Sequence, residues 1–325
     1  MDIEGIFSIT TEKEFLSKSL DTFHFQYEHN PVYQRFCNYL KVDPEKVLSI
    51  EEIPFLPIQF FKEYEVLSSK KPIQTVFTSS GTTGALTSKH LVTDLNLYEQ
   101  SFMEGFKRFF GEIEEYCILA LLPSYLERKG SSLIYMVDRL IERSNHPKSG
   151  FFLHDFERLQ SELQSLEAQN QKVLLIGVSF ALLDFSEKFQ LNLENTIIME
   201  TGGMKGRRKE MIRMELHEHL KKGFGVDTIH SEYGMTELLS QAYSKGHSLF
   251  ECPPWMKILI RDTEDPLTFL PYGKAGGINV IDLANMNSCS FIATQDLGKV
   301  YETGNFEVLG RFDHSDIRGC NLMAL

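Results

Sequence analysis

Hydroxyl and glycine residues crowd one short stretch of the chain, VFTSSGTTGALTSKH, at residues 76–90. A Ser/Thr/Gly loop that follows a strand can present several backbone N–H groups and hydroxyls at one point, because glycine permits close approach and unusual φ angles. Such a loop can cradle phosphate groups, and its hydroxyls can ligate Mg²⁺. Neither GxxxxGK[ST] nor GxGxxG occurs in the chain. Two interpretations therefore stand at this point: a phosphate-binding loop of another type, or a solvated turn.

Four further segments carry residues typical of binding sites. They follow the loop in the order ETGGMKGR at 200–207, SEYGMTE at 231–237, ATQDLG at 293–298 and GRFD at 310–313. A lone Tyr-Gly pair is usually only a turn, and a lone Gly-Arg pair is usually a surface feature. All five segments in this order, several of them at predicted strand ends, favour a shared binding function over chance.

Alternating strands and helices in the middle of the chain must position these segments. The pattern predicts strands at 73–78, 116–122, 173–177, 196–199 and 226–230. It predicts helices at 94–110, at 131–143, from about 180 and at 205–221. Continuous apolar strands that alternate with helices indicate a largely parallel sheet covered on both faces. The expected fold class is therefore α/β.

The start of the chain is expected to be helical. Thr11 to Glu14 fits a capping box, which predicts a helix, and a second helix is predicted at 31–39. The apolar segment that follows is interrupted by Pro54 and Pro57, which predicts an irregular docked segment instead of a long helix.

The last third of the chain has a different character. Short strands are predicted at 278–283, 290–293 and 306–309, separated by turns that contain glycine. This pattern predicts an antiparallel or barrel-like subdomain packed on the first.

Composition excludes several classes of protein. A net charge of −12 argues against a general basic surface for nucleic acid. The N-terminus lacks an apolar signal core, and no apolar run approaches the roughly 20 residues that span a bilayer. The odd number of cysteines, without a CxxC pair, indicates reduced thiols at Cys37, Cys117, Cys252, Cys289 and Cys320. We expect a cytoplasmic protein with no nucleic-acid partner and no membrane insertion.

The motifs TSSGTTG, YGMTE, a loop Asp and GRxD, in this order, resemble the adenylate-forming superfamily of acyl-CoA synthetases and luciferases. Three segments are similar to the LuxE-type acyl-protein synthetases within that superfamily: IPFLPIQFFKEYEV, INVIDLANMNSCSFIATQDLG and GRFDHSDIRGCNLM. The similarity runs from about Pro54 to the end of the chain. It is specific for adenylate formation and somewhat less specific for the LuxE type.

The resemblance implies an adenylate-forming core at 1–311, with mainly parallel sheets, covering helices and a smaller β-rich subdomain. We expect a helical segment at 1–70, an α/β part at 71–240, the β-rich subdomain at 241–311 and a short tail at 312–325. Full adenylating enzymes continue into a C-terminal lid that carries a catalytic lysine. Only fourteen residues follow Arg311, so the lid is expected to be lacking. A core residue would then substitute for its lysine, or a partner would supply it, or adenylation would be slow.

The resemblance also implies roles for the motif residues in binding Mg²⁺-ATP. Tyr233 and Gly234 would lie beside adenine, Thr236 would bond the α-phosphate, and Glu237 would hold Mg²⁺ together with Thr82. The ATP phosphates would contact Thr78, Ser79, Ser80, Gly81, Thr82, Thr83 and Gly84. The alternative for Glu237 is an acid at a helix N-terminus, which is favourable with the helix dipole.

The resemblance also implies nucleotide contacts for other motif residues, and some of these residues have an alternative role. Gly202 and Gly203 match an adenine-side loop. Asp296 would accept hydrogen bonds from the ribose hydroxyls, or be a turn residue, and Arg311 would contact the ribose. Lys89 is the first lysine after the Ser/Thr/Gly loop and is a candidate phosphate contact. For Lys205 and Arg207 a solvated helix start is favoured, and His90 and His230 are expected to be core or loop histidines.

LuxE-type enzymes carry their acyl group as a thioester on a cysteine near the C-terminus. Cys320 in RGCNLMAL matches that position, and Cys289 is the rival acceptor. The resemblance thus implies an ATP-dependent synthetase that activates a carboxylic acid, expected to be a fatty acid, as acyl-AMP. The acyl group would move to Cys320 for delivery to a reductase partner.

Two alternative functions stay open. One is a CoA ligase of the phenylacetate type, which passes the acyl group to CoA or a carrier protein. The other is a non-catalytic nucleotide-binding module of a reductase complex.

Overall fold

The computed structural model describes residues 4–79, 86–123, 130–202 and 211–312. Its α-helices are α1 (Glu4–Phe7), α2 (Glu12–His29), α3 (Pro31–Tyr39), α4 (Phe60–Glu63), α5 (Leu95–Phe110), α6 (Ser132–Ser144), α7 (Phe156–Glu167), α8 (Ser179–Lys188) and α9 (Arg213–Phe224). Short 3₁₀ helices lie at Pro44–Lys46, Ile50–Glu52, Ile113–Glu115 and Leu283–Asn285. None of the helices in these described ranges is both long and apolar enough to cross a membrane.

The strands, in chain order, are short to medium in length. They are β1 (Leu56–Pro57), β2 (Thr75–Thr78), β3 (Lys89–Val92), β4 (Cys117–Leu121), β5 (Gly150–Phe151), β6 (Val173–Val178), β7 (Thr196–Thr201), β8 (Ile229–Tyr233), β9 (Ala242–Ser244), β10 (Phe250–Glu251), β11 (Met256–Arg261), β12 (Ala275–Asp282), β13 (Phe291–Val300) and β14 (Phe306–Arg311).

The described residues group into two compact units. Residues 4–70 and 254–312 form the terminal unit, and the described part of 71–253 forms the central unit. The helical segment at the start of the chain therefore packs in the same unit as the β-rich last part.

The central unit contains a sheet whose core strands are parallel. The order is β5-β4-β6-β7-β8, all parallel neighbours, and β9 and β10 then extend the sheet with antiparallel pairing. Every residue of β4 (CILAL) and β6 (VLLIGV) is buried. Strands covered on both faces read as continuous apolar runs, so the sequence predicted these two correctly.

Helices of the central unit begin at side-chain caps. Asp94 accepts a hydrogen bond from the Leu97 N–H at the start of α5, and Ser131 accepts one from Ile134 at the start of α6. These contacts satisfy backbone donors that the first helical turn leaves unpaired. The helices predicted at 94–110 and 131–143 are confirmed to within one residue.

The strand predicted at 73–78 does not join the parallel sheet. It is β2, which pairs with β3 in a separate two-stranded antiparallel sheet. The chain reverses direction between the two strands and does not enter a helix directly. The Ser/Thr/Gly stretch is therefore the connection of a β-hairpin, and residues 80–85 within it lie outside the described residues.

The helix predicted at 205–221 begins too early. Residues 203–210 lie outside the described residues, Met211 is not helical, and Ile212 is the extended N-cap of α9 at φ −66° and ψ 146°. The helix ends at Gly225, which has a φ of +67° and would collide with the Leu191 carbonyl if it carried a Cβ. The next strand, β8, begins at Ile229, so residues 231–233 belong to this strand.

The terminal unit has an antiparallel sheet, as predicted. Its order is β11-β12-β13-β14, with β1 added in parallel to β13. Thr11 and Glu14 form the predicted capping box at the start of α2. Around Pro54 and Pro57 the chain forms only the two-residue β1 and the four-residue α4, in agreement with the predicted irregular segment.

Candidate active site

The base of the Ser/Thr/Gly hairpin is closed by hydrogen bonds between its two strands. Thr78 and Lys89 are cross-strand partners, and the Thr78 N–H donates to the Gly130 carbonyl at 2.7 Å. Beyond them, the Ser79 hydroxyl accepts a hydrogen bond from the Ser88 N–H at 2.9 Å. Lys89 is exposed at the first position of β3. The base is thus fixed, while the predicted contacts Ser80, Gly81, Thr82, Thr83 and Gly84 lie outside the described residues.

His90 connects this hairpin to the YGMTE segment. It is 1% exposed, and its Nδ1 lies 2.8 Å from the carbonyl oxygen of Thr236. A carbonyl only accepts, so Nδ1 carries the proton and donates. His90 was expected to be a core or loop histidine. It is buried, and its hydrogen bond fixes the main chain beside two predicted site residues, Thr236 and Glu237.

The YGMTE segment leaves the carboxyl end of β8. Tyr233 is buried as the last residue of the strand, with its ring centroid 6.0 Å from that of Phe250. Thr236 is half-buried and Glu237 is buried in the turn that follows. A parallel sheet gathers its binding groups at the carboxyl ends of its strands. Tyr233, Gly234, Thr236 and Glu237 therefore stand where a ligand of this sheet is expected.

The ends of β7 and β8 carry two layers of polar side chains. Glu200 is the neighbour of Ser231 across the two strands, and Thr201 is the neighbour of Glu232. Successive side chains of a strand point to opposite faces, so the two pairs face opposite sides of the sheet. All four side chains are buried. Sequence reasoning assigned no role to any of them.

Glu200 is held in its ionised form by contacts with Arg213, His217 and Ser231. Its Oε1 lies 3.3 Å from Arg213 Nε and 3.6 Å from His217 Nε2, and its Oε2 accepts a hydrogen bond from the Ser179 hydroxyl at 3.1 Å. Burial raises the pKa of Glu200, but the contacts with His217 and Arg213 outweigh it and place this pKa below its usual value. This carboxylate therefore attaches α8 and α9 to the end of β7.

Glu232 has a different environment on the other face. Its Oε2 accepts a hydrogen bond from the Thr201 hydroxyl, and the nearby charge of Glu200 opposes its ionisation. Burial raises the pKa of Glu232 to about 7. Within the described ranges no cationic side chain lies at ion-pair distance from this carboxyl.

His230 and the remaining predicted residues of the central unit have mixed outcomes. His230 is half-buried, its Nδ1 makes no hydrogen bond, and burial lowers its pKa to about 4. Within the described residues, Nδ1 is thus an unsatisfied atom in a ring that was expected to be a satisfied core or loop histidine. Gly202 has a φ of +68°, which favours glycine, and its carbonyl accepts from Ser179 at 2.9 Å. Gly203, Lys205 and Arg207 lie outside the described residues.

In the terminal unit, Asp296 and Arg311 contact each other. They are cross-strand partners in β13 and β14, and Arg311 Nε donates to Asp296 Oδ1 at 3.0 Å. Asp296 is buried, whereas 78% of the Arg311 side chain is exposed. Asp296 lies inside a strand and not in a turn, which removes the alternative considered for it.

The cysteines differ in accessibility. Cys289, the rival acceptor, is fully buried, and burial raises its pKa well above the usual range. Burial also raises the pKa of Cys37 to about 12 and that of Cys117 to about 11. Cys252 is half-buried, and Cys320 lies outside the described residues. Cys289 therefore does not fit the role of an acyl acceptor.

Solved structures of ligases share this fold. 2-Hydroxyisobutyryl-CoA ligase in complex with 2-HIB-AMP and CoA matches with a TM-score of 0.70 and 14% identity, over 93% of this chain and 70% of that chain. ATP-bound MatB from Rhodopseudomonas palustris matches with a TM-score of 0.56 and 18% identity, over 75% of this chain and 49% of that chain. This chain thus spans about half the length of MatB. The predicted α/β fold of adenylate-forming ligases is confirmed.

Comparison by sequence adds the family. A family model described as acyl-protein synthetase, LuxE, matches residues 7–324. A long-chain-fatty-acid–luciferin-component ligase of Aliivibrio fischeri is 24% identical over 345 residues, covering 97% of this chain and 89% of that protein. The ligase of the same name from Vibrio harveyi is 22% identical, covering 97% and 88%. The chain belongs to the LuxE acyl-protein synthetase family, which confirms the predicted resemblance and the ligase class.

Sequence reasoning missed the buried residues that support the motif residues. They are His90, Glu200, Thr201, His217 and Glu232, together with the half-buried Arg213. The available signal was the position of Glu200 and Glu232, one near each predicted strand end, in ETGG and SEYG. A buried acid at a strand end is uncommon without a partner, so these two glutamates could have been marked as candidates.

Proposed function

We propose that this protein uses Mg²⁺-ATP to activate a long-chain fatty acid and then carries the acyl group as a thioester on Cys320. The observation that carries the proposal is the turn after β8, where Tyr233, Thr236 and Glu237 stand together at the carboxyl end of a buried parallel strand. The substrate class is supported by the names of the two bacterial relatives, both ligases of long-chain fatty acids.

In the first step, a carboxylate oxygen of the acid attacks the α-phosphorus of ATP. The bond from that phosphorus to the bridging oxygen breaks, and pyrophosphate leaves with its electron pair. Thr236 bonds the α-phosphate, and the loop at 78–84 holds the departing phosphates. Donors that are fixed before the reaction stabilise the developing charge without reorganising. The hydrogen bond from His90 to the Thr236 carbonyl supports this fixed arrangement.

The nucleotide and the metal are assigned to residues of suitable chemistry. Mg²⁺, when bound, would neutralise charge on the phosphate oxygens, and Glu237 supplies the hard oxygen ligand that this ion prefers. Thr82 is the second proposed ligand, and Lys89 is a proposed phosphate contact. Asp296 is proposed for the ribose hydroxyls because it is a buried carboxylate whose partner, Arg311, is mostly exposed.

In the second step, the Cys320 thiolate attacks the carbonyl carbon of acyl-AMP. The bond from that carbon to the phosphate oxygen breaks, AMP leaves, and the proton of the thiol has passed to solvent. Burial and raised pKa values of the Cys37, Cys117 and Cys289 thiols support Cys320 as the acceptor, because the thiolate is the nucleophile. A reductase partner would then receive the acyl group.

Acid-dependent exchange of radiolabelled pyrophosphate into ATP tests the first step. We expect exchange with a panel of straight-chain acids from octanoate to octadecanoate, strongest for the longer acids. Glu237→Gln should reduce it by at least about a hundredfold, because the metal loses its charged ligand. Exchange that needs no acid, or that survives Glu237→Gln at the wild-type rate, contradicts the proposal. Appearance of acyl-CoA on addition of CoA, with Cys320→Ser as active as wild type, would assign the acceptor to CoA.

A further inference from the structure

The buried carboxyl of Glu232 has no part in the mechanism above. Its side chain is at the end of β8 and is 9% exposed. Burying a carboxyl without a cation costs free energy, so such groups concentrate at functional sites. Its titratable neighbours in the described ranges are Glu200 of β7, Tyr98 of α5 and Tyr243 of β9.

Glu232 makes one contact with the neighbouring strand. Its Oε2 accepts a hydrogen bond from the hydroxyl of Thr201, the last residue of β7. Thr201 leads directly into Gly202, whose positive φ and hydrogen bond from Ser179 fix the start of the next segment. Oε2 of Glu232 is thus hydrogen-bonded to the last residue of β7.

The other carboxyl oxygen faces the chain that leaves β8. A Cβ at Gly234 would lie against Glu232 Oε1, and its next neighbour would be Cγ of Gln241 at 3.4 Å. A side chain at position 234 would therefore displace the Glu232 carboxyl from its present position. Oε2 is therefore hydrogen-bonded to the end of β7, while Oε1 lies beside the backbone of Gly234 in the turn after Tyr233.

We propose that Glu232 is a positioning residue that joins these two segments, so that Gly202 and the Tyr233–Gly234 step keep one fixed arrangement for the nucleotide. The proposal rests on the proposed function, because the sequence resemblance places both Gly202 and Tyr233 beside the adenine of the bound ATP. The length of the side chain and its acceptor oxygens perform this role, and its charge is dispensable. Glutamine, with the same length and one carbonyl oxygen for Thr201, should replace it.

Matched variants of the two partners test this inference. Thr201→Val removes the hydroxyl at nearly constant volume, and Thr201→Ser keeps it. Glu232→Leu removes the acceptors, and Glu232→Gln keeps one. The measurement is the KM for ATP and the kcat of pyrophosphate exchange, with hexadecanoate as the acid, beside the melting temperature of each variant.

We expect Thr201→Val and Glu232→Leu each to raise the KM for ATP by about tenfold, the cost of one lost buried hydrogen bond. The KM for the acid should stay within about twofold, because neither contact is assigned to it. Thr201→Ser and Glu232→Gln should stay within about threefold of wild type. The double variant Thr201→Val/Glu232→Leu should cost no more than either single change, because both remove the same contact.

A lower melting temperature with an unchanged KM for ATP in Thr201→Val would overturn the inference, since that result describes a purely structural contact. Additive losses in the double variant would overturn it as well. If Glu232→Leu does not fold, the comparison of Thr201→Val with Thr201→Ser decides the question alone. Absence of exchange in the wild type is a separate result, because it refutes the proposed function and not the contact.

Discussion

The two units of this protein both bury charged side chains, but they satisfy them in different ways. In the terminal unit, Arg261 of β11 donates to the main-chain carbonyls of Ile278 at 2.7 Å and Thr294 at 2.5 Å, and to Asn279 Oδ1 at 2.8 Å. In the central unit, the Glu232 carboxyl accepts from one side-chain hydroxyl, that of Thr201. Arg261 is therefore part of the hydrogen bonding of the sheet itself, whereas Glu232 stands where strands end.

This difference follows from topology. Carboxyl ends of parallel strands meet at one edge, so the residues that follow β7 and β8 come together although 31 positions separate Thr201 from Glu232. In the antiparallel sheet, Asp296 and Arg311 meet as direct cross-strand partners. The parallel edge can therefore collect functional groups from strands that are distant in sequence.

The largest effect on stability is expected at Arg261. Arg261→Met removes the guanidinium donor from three buried acceptors, of which the Ile278 carbonyl keeps a hydrogen bond from the Thr294 hydroxyl, and we expect the free energy of unfolding to fall by about 4 kcal/mol. Arg261→Lys should recover part of this loss, because one ammonium cannot reach all three acceptors. Urea unfolding measures the change. A stable Arg261→Met variant with a raised KM for ATP would contradict a purely structural role for Arg261.

The next effect concerns Glu232 and pH. Its pKa in the folded protein is about 7 and its ordinary value is 4.5, so between these values the folded protein keeps a proton that the unfolded chain has released. Stability therefore falls as pH rises through this window, by up to roughly 3 kcal/mol. Glu232→Gln should remove that fall. The free energy of unfolding of this variant should therefore increase relative to that of wild type between pH 4.5 and 7.

Thermal unfolding of both proteins across this range is the measurement. Glu157→Gln serves as the control, because that carboxylate is exposed beside Lys188 and should not alter the slope at neutral pH. Parallel stability curves for wild type and Glu232→Gln would show that this carboxyl is not protonated in the folded state at pH 6.

A smaller effect is expected where the Ser/Thr/Gly hairpin meets the YGMTE turn. His90→Leu leaves the Thr236 carbonyl without its donor, and we expect kcat/KM for pyrophosphate exchange to fall about tenfold. His90→Asn places an amide N–H near the position of Nδ1 and should recover most of the activity. Equal activity of the two variants would mean that the hydrogen bond does not position the site.

The smallest effect on stability is expected at Arg311. Its side chain is mostly exposed, so Arg311→Met should change the free energy of unfolding by less than about 1 kcal/mol despite the contact with Asp296. Chemical unfolding measures this, with Arg261→Met as the contrasting variant. A loss as large as that of Arg261→Met would show that the two arginines of this sheet have the same structural role.

The apolar strands were readable from the sequence because burial on both faces leaves a continuous run, as in CILAL and VLLIGV. The partner strand β3 was not, since it has only four residues and begins with Lys89. The start of α9 was misplaced because a charged run fits a helix locally, while Ile212 is extended in the folded chain.

The motif residues of the candidate site could be marked from the sequence, whereas the buried residues that contact them could not. YGMTE and the Ser/Thr/Gly stretch are short local patterns, so the sequence indicates them directly. The role of Glu232 depends on the register of β7 against β8, which places it beside Thr201, and that of His90 depends on a contact across 146 positions. Such long-range pairings are set by tertiary structure, and no local pattern encodes them.

Intact-mass spectrometry tests the central claim most directly. The protein is incubated with Mg²⁺-ATP and the panel of straight-chain acids, without CoA, beside Cys320→Ser and the matched control Cys252→Ser. We predict a hydroxylamine-labile acyl adduct on wild type and on Cys252→Ser, which is absent from Cys320→Ser. An adduct that persists in Cys320→Ser, or no adduct on wild type while pyrophosphate exchange proceeds, would contradict the account of a thioester on Cys320.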